Sequence, residues 1–242
     1  MSELDLERLY HPDGKHLGSL FSGLSGSGKT TAVLSTLQAA GRSKTFGKMH
    51  RFVIIDPKAQ GGDYDLLADP VFDVDKATES IRKNRFTVFW PELEYIESDV
   101  EQIVDFMFRT SDQHPETSFT FVLDEASTLI TPSKIPPGLK RVAVQGRAKR
   151  IKPIFISQRP IVNRWTDANL SNMILFRTLP VDADTLKKRW GVDFVQADES
   201  LEMPYSFLWF DLEMAKIRIM EPVPLPKPRK QKKRRLLDRF RP

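Results

Sequence analysis

The sequence predicts an α/β fold built on a mostly parallel sheet with helices on both faces. Short β-rich runs alternate with helical patterns along the chain, which is how βαβ crossovers read. A glycine-rich turn joins one apolar run directly to a helical pattern. The 242 residues are 40% hydrophobic, enough to bury one substantial core.

In chain order, strands are expected at Leu17–Ser22, Arg51–Ile55, Arg85–Phe89, Ser118–Leu123, Lys152–Ser157 and Asn172–Arg177. A helical pattern from Ala32 to Leu37 follows the first. Ser98 to Glu101 reads as a capping box ahead of a helical stripe of Val100, Ile103, Val104, Met107 and Phe108. Val144–Arg150 is basic and helical in pattern, and Asp182–Trp190 is a further helix that Gly191 would end. Tyr205–Phe210 and Ala215–Met220 form an expected closing hairpin. Residues 1–221 make one domain in this reading, and 222–242 a separate proline-rich spacer with a flexible basic arm.

The net charge of +5 is unevenly placed. Residues 227–242 hold nine cations against Asp238, a charge of +8, which leaves the first 226 residues at −3. Pro222, Pro224, Pro226 and Pro228 precede them at a spacing that suits extended polyproline. Such an arm binds nucleic acid or another acidic surface through charge, or acts as a solubilising tail or an import signal. The absence of cysteine excludes disulfides and thiolate zinc sites. Nothing reads as a membrane span or a secretory leader, so the chain is expected to fold in a cytosol.

Gly23 to Thr30 reads G-x-x-x-x-G-K-T, the phosphate-binding P-loop. Glycines let many backbone N–H groups approach one polyphosphate, Lys29 adds a charge for the β and γ phosphates, and Thr30 offers a hydroxyl to Mg²⁺. Gly23, Leu24, Ser25, Gly26, Ser27, Gly28, Lys29, Thr30 and Thr31 are therefore the expected nucleotide-binding residues, with ATP and Mg²⁺ as cofactors. The apolar run ending in Asp124-Glu125 supplies two carboxylates at a strand tip: Asp124 for the metal and Glu125 as the base that polarises the attacking water. Gln158, at the tip of the next strand, is placed to touch the γ-phosphate or that water. Arg147 is a candidate arginine finger for a neighbouring subunit, with Arg141 and Arg150 as rivals.

Together GLSGSGKT (23–30), IIDPK (54–58), FVLDEA (121–126), GRAKRIKPIFISQRP (146–160) and NLSNMILFRT (169–178) resemble the FtsK–HerA superfamily of DNA-pumping ATPases. Ser157 stands where those motors carry Thr. The resemblance implies a three-layer RecA-like P-loop NTPase of the ASCE type. It makes Lys29, Glu125, Arg147 and Gln158 catalytic, and Thr30 and Asp124 the metal residues. In size and layout the chain is most similar to the minimal genome-packaging ATPases of icosahedral viruses with an internal membrane. That implies double-stranded DNA bound without sequence preference, a capsid or membrane-vertex partner, and a hexameric ring, with Lys134, Lys140 and Arg164 as candidates to grip the DNA. The rival readings are a cellular or plasmid-encoded FtsK/HerA-like translocase and a non-translocating ATP-dependent switch or adaptor.

Overall fold

The computed structural model describes residues 5–12, 17–58, 63–160, 163–190, 201 and 203–229. After a short helix α1 (Leu6–Tyr10), the elements are β1 (Gly18–Ser22), α2 (Lys29–Arg42), β2 (His50–Ile55), β3 (Pro70–Val71), α3 (Val74–Lys83), β4 (Phe86–Phe89) and α4 (Ile96–Gln113). They continue with β5 (Ser118–Leu123), α5 (Pro137–Gln145), β6 (Ile151–Ser157), α6 (Arg164–Asp167), β7 (Leu170–Leu175), α7 (Pro180–Trp190) and the hairpin β8 (Phe207–Asp211) and β9 (Lys216–Met220). Among the described residues these strands form a single nine-stranded sheet in the order β3-β4-β2-β5-β6-β1-β7-β8-β9. Every pair from β3 to β7 is parallel, and the closing hairpin is antiparallel.

Strand alternation builds two cores. Phe52, Ile54, Val122, Ile154, Ile156 and Ile174 face α1 and α2, whose Tyr10, Val33 and Leu37 are fully buried. Val53, Ile55, Phe119, Phe121, Leu123 and Met173 face the other way, onto α4, α5 and α7. The expected stripe on α4 is buried along its whole length. Its start differs from expectation: α4 begins at Ile96 after Tyr95, and the Ser98 hydroxyl donates to the Tyr95 carbonyl from within the first turn, so no capping box forms. β7 begins two residues earlier than its apolar run suggested, at Leu170, because Asn169 O receives the Gly18 amide and starts the ladder there. α7 starts at Pro180, where a missing N–H costs nothing; Gly191 lies outside the described residues. Val144–Arg150 splits into the end of α5 and a 3₁₀ turn over Arg147–Lys149, with Arg150 at φ 54°.

Residues 221–229 run extended beside α2. The Gln38 side-chain amide donates to Lys227 O at 2.8 Å while its carbonyl accepts from Lys227 N at 2.9 Å, and Ser35 Oγ donates to Pro224 O. Arg229 ends the described chain on Asp69 at 2.8 Å. The arm beyond it lies outside the described residues.

Beneath the sheet, at the opening residue of β2, His50 is buried between Phe46, Phe52 and the His11 ring. Thr120 gives its hydroxyl proton to Tyr10 O, so it can only accept from His50 Nε2–H, and Nδ1 in turn accepts from Ser118. Burial above all, and then the charges of His11, Arg85 and Arg51, pushes the imidazole down to about 3. An unfolded histidine protonates near 6.5. The neutral ring's contribution to stability is therefore complete above that pH and is lost as the pH falls from about 6.5 toward 3. Urea unfolding between pH 7 and 4 should show His50→Gln losing stability less steeply than wild type, by up to roughly 1.4 kcal/mol per pH unit.

Candidate nucleotide site at the carboxyl edge of the sheet

Because β1, β2, β5 and β6 are parallel, their last residues share one edge. Ser22 pairs with Ser157, Leu123 with Phe155, and Ile55 with Leu123. β6 lies between β1 and β5, so Gln158 emerges between the P-loop and the Asp124-Glu125 pair. The loop leaves β1 with Gly23 at φ 151°, where a Cβ would fall 2.7 Å from Phe176 Cβ, and enters α2 through Gly28 at φ 96°. Gly23 N donates to Ser157 O and Leu24 N to Arg177 O, tying the loop to both neighbouring strands.

The loop fits a polyphosphate. The Lys29 side chain is buried and donates to Leu24 O at 2.8 Å, within the loop's own curve, and burial followed by the charge of Lys58 lowers its ammonium. Among the described residues, Ser27 Oγ is buried without a partner and a Cβ at Gly26 would meet nothing within 4 Å. Half-buried Thr30 and Thr31 stand in the first turn of α2, whose positive end faces the loop. Beside the loop opens a cleft of about 420 Å³ lined by Leu24, Ser25, Arg177, Met203, Pro204 and Tyr205. The Tyr205 ring lies 3.0 Å from where a Gly28 Cβ would be.

Asp124 is buried at the end of β5. Its Oδ1 accepts from the Glu125 amide at 2.7 Å and its Oδ2 from the Tyr64 hydroxyl at 2.9 Å. Desolvation raises its carboxyl despite the nearby Lys58, and lifts neighbouring Asp56 to about 6 with help from Asp124. Among the described residues there is no group of three or more histidine, cysteine or acidic side chains able to cage a metal. A carboxylate on the same strand edge as the loop and the Thr30 hydroxyl is instead the kind of donor set that suits Mg²⁺, which keeps waters and shares its coordination with phosphate. Glu125 takes the left-handed conformation at φ 45°, and its Oε2 meets Lys58 Nζ at 2.5 Å.

The fold thus brings Lys29, Thr30, Asp124, Glu125 and Gln158 to one edge. Gln158 is exposed, and Arg159 next to it is fixed by a two-nitrogen contact to Asp182 on α7. Arg147 is at the amino end of β6, the opposite edge, where it is exposed with no side-chain partner among the described residues. Its rivals are occupied: Arg141 binds Asp105 at 2.6 Å and covers Phe108, and Arg150 donates to Thr117 O and Ser111 O. Sequence reasoning missed Tyr64, which sits alone in a 3₁₀ turn (Asp63–Leu66) with no motif around it. It also left Lys58 without a role, although IIDPK marked the segment.

No protein-family model matches the chain, and no curated protein matches it in sequence. Solved structures do match its fold. The genome-packaging NTPase B204 from Sulfolobus turreted icosahedral virus 2, in complex with sulfate, superposes with a TM-score of 0.72 at 15% identity over 87% of this chain and 98% of that one. Its complex with AMPPCP gives 0.64 at 17% identity, over 86% and 98%. ATPases 2 and 3 of EssC from Geobacillus thermodenitrificans give 0.61 at 13% identity over 88% of this chain and 40% of that one. The sheet expected from the FtsK–HerA resemblance is the one observed: the chain has the mostly parallel, RecA-like α/β fold of these ATPases.

Proposed function

We propose that the chain is an ATPase that drives DNA and packages a viral genome into a preformed capsid. The observation that carries the ATPase reading is the shared strand edge: a glycine cradle with buried Lys29, the Asp124-Glu125 pair two strands away, and Gln158 on the strand between. The match along 98% of the packaging NTPase B204 supports packaging over a secretion or cellular translocase.

In this reading the loop amides and Lys29 hold the phosphates, with Lys29 exchanging Leu24 O for phosphate oxygens. Thr30 and Asp124 would hold Mg²⁺, which would supply positive charge to the phosphate oxygens. Tyr64 fixes the rotamer of Asp124. Water attacks the γ-phosphorus, its proton passes to Glu125, and the bond to the ADP oxygen breaks; Gln158 orients the water. The nucleoside occupies the cleft under Tyr205. Arg147, far from its own loop, completes the site of the next subunit in a closed ring, hexameric by resemblance. DNA is held through its phosphates without sequence preference. Lys140 and Arg164, both exposed, flank the Trp165 ring at 3.9 and 4.7 Å and supply this contact, whereas Lys134 is paired with Glu97.

Four measurements test the scheme. Lys29→Ala should abolish detectable ATP binding. Glu125→Gln should keep binding and lose about a hundredfold or more in turnover, since the amide keeps the shape without the basicity; equal ATPase rates for Glu125→Gln and wild type would remove Glu125 as base. Tyr64→Phe should raise the Mg²⁺ concentration for half-maximal activity about tenfold while the fold persists by circular dichroism, because only the orienting hydroxyl is lost. Subunits carrying Arg147→Ala mixed with subunits carrying Lys29→Ala, each inactive alone, should recover activity where an intact loop meets an intact arginine. No recovery in verified mixed rings would take Arg147 out of the neighbour's site.

A further inference from the structure

Among the described residues, Lys58 is the cation paired with the base. It follows Asp56-Pro57 at the tip of β2, the strand beside β5, and its ammonium sits 2.5 Å from Glu125 Oε2. Its backbone is held, with Lys58 N donating to Asp56 Oδ1 at 3.1 Å. Its side chain is 45% exposed, whereas that of Glu125 is 14% exposed. A four-carbon stem on a fixed backbone lets this ammonium move while the carboxylate stays. The oxygen it occupies belongs to the pair that would have to take a proton from water. An ammonium on that carboxylate occupies the lone pairs with which it would accept the proton of water.

The same ammonium stands at the strand edge that carries the phosphate cradle. Its charge reaches Lys29, where it adds to burial in lowering that ammonium. The charges of three carboxylates, Glu125, Asp124 and Asp56, act on Lys58. A diphosphate in the loop would bring its charge to Lys29 and the amides. A third phosphoryl group would add charge at the edge where β5 and β2 end, and Lys58 is the cation that the described residues place beside Glu125 there.

We propose that Lys58 exchanges Glu125 for the γ-phosphate, so that a seated triphosphate, and not a diphosphate, frees the base. The inference rests on the ATP-binding reading above. It assigns Lys58 two partners in turn: Glu125 before the γ-phosphate arrives, and the γ-phosphoryl oxygens afterwards. The base is thereby restrained until its substrate is complete, and Lys58 adds positive charge where the transition state develops negative charge. The exchange also makes binding competitive within the site, because Glu125 and the γ-phosphate seek one ammonium.

That competition gives a test independent of turnover. The nucleotides AMPPCP and ADP are titrated calorimetrically into wild type, Lys58→Met, Lys58→Arg, Glu125→Gln and the double variant Lys58→Met/Glu125→Gln. Lys58→Met is expected to weaken AMPPCP about tenfold, the scale of one charge-assisted hydrogen bond, and to leave ADP within about twofold. Lys58→Arg keeps the charge and should keep the AMPPCP preference. Glu125→Gln should tighten AMPPCP several-fold in the wild-type background, since the competing carboxylate is gone, and should not tighten it when Lys58 is Met. Equal losses for ADP and AMPPCP in Lys58→Met would overturn the exchange and leave a general electrostatic role. So would a Glu125→Gln tightening that survives without Lys58, which would reflect only the removal of a negative charge. Wild type that binds neither nucleotide would overturn the ATP-binding reading, and the exchange with it; wild type that binds both equally, unaffected by Lys58→Met, would overturn the exchange alone.

Discussion

A parallel sheet buried on both faces can carry polar chemistry only where its strands stop. In β1, β5, β6 and β7 nearly every residue is buried, and the apolar side chains alternate between two cores. Parallel crossovers then place each successive strand end at the same edge. Phosphate cradle, metal carboxylate, base and amide therefore need no long-range design of their own. Each begins within two residues of the end of its strand, and the ladder sets the spacing between them.

That constraint explains what was legible in the sequence. Strand tips are marked by the switch from apolar to polar, so Asp124, Glu125 and Gln158 could be placed by reading where FTFVL and IFIS end, and the P-loop by its glycines. The edges of helices were less legible. Ser98 looked like a cap because cap chemistry is local, but the packing of Ile96 and Val100 into the core extended α4 past it. Tyr64 and the Lys58 contact were beyond reach, since each depends on a loop folding back over a strand tip sixty or more residues away in sequence. No periodicity encodes such a meeting.

The same logic separates three arginines that look alike on paper. Arg150 lies in a left-handed turn and fastens the loop before β5 through two carbonyls, while Arg141 is spent on Asp105 and Phe108. Arg147, between them in sequence, is turned outward by the 3₁₀ turn. Gly146 makes that turn possible: a Cβ there would fall 2.7 Å from Ile151 O. What distinguishes the three is the backbone path, which composition cannot reveal.

The clasp between Gln38 and Lys227 has a mechanical meaning. Two antiparallel amide hydrogen bonds and the Arg229–Asp69 pair fasten the chain's last described residues to α2 and to the start of β3. A pull exerted beyond Arg229 is thus borne by the middle of the helix whose first residue is Lys29, about nine residues or 14 Å along its axis. The C-terminal segment is harnessed to the phosphate loop's own helix.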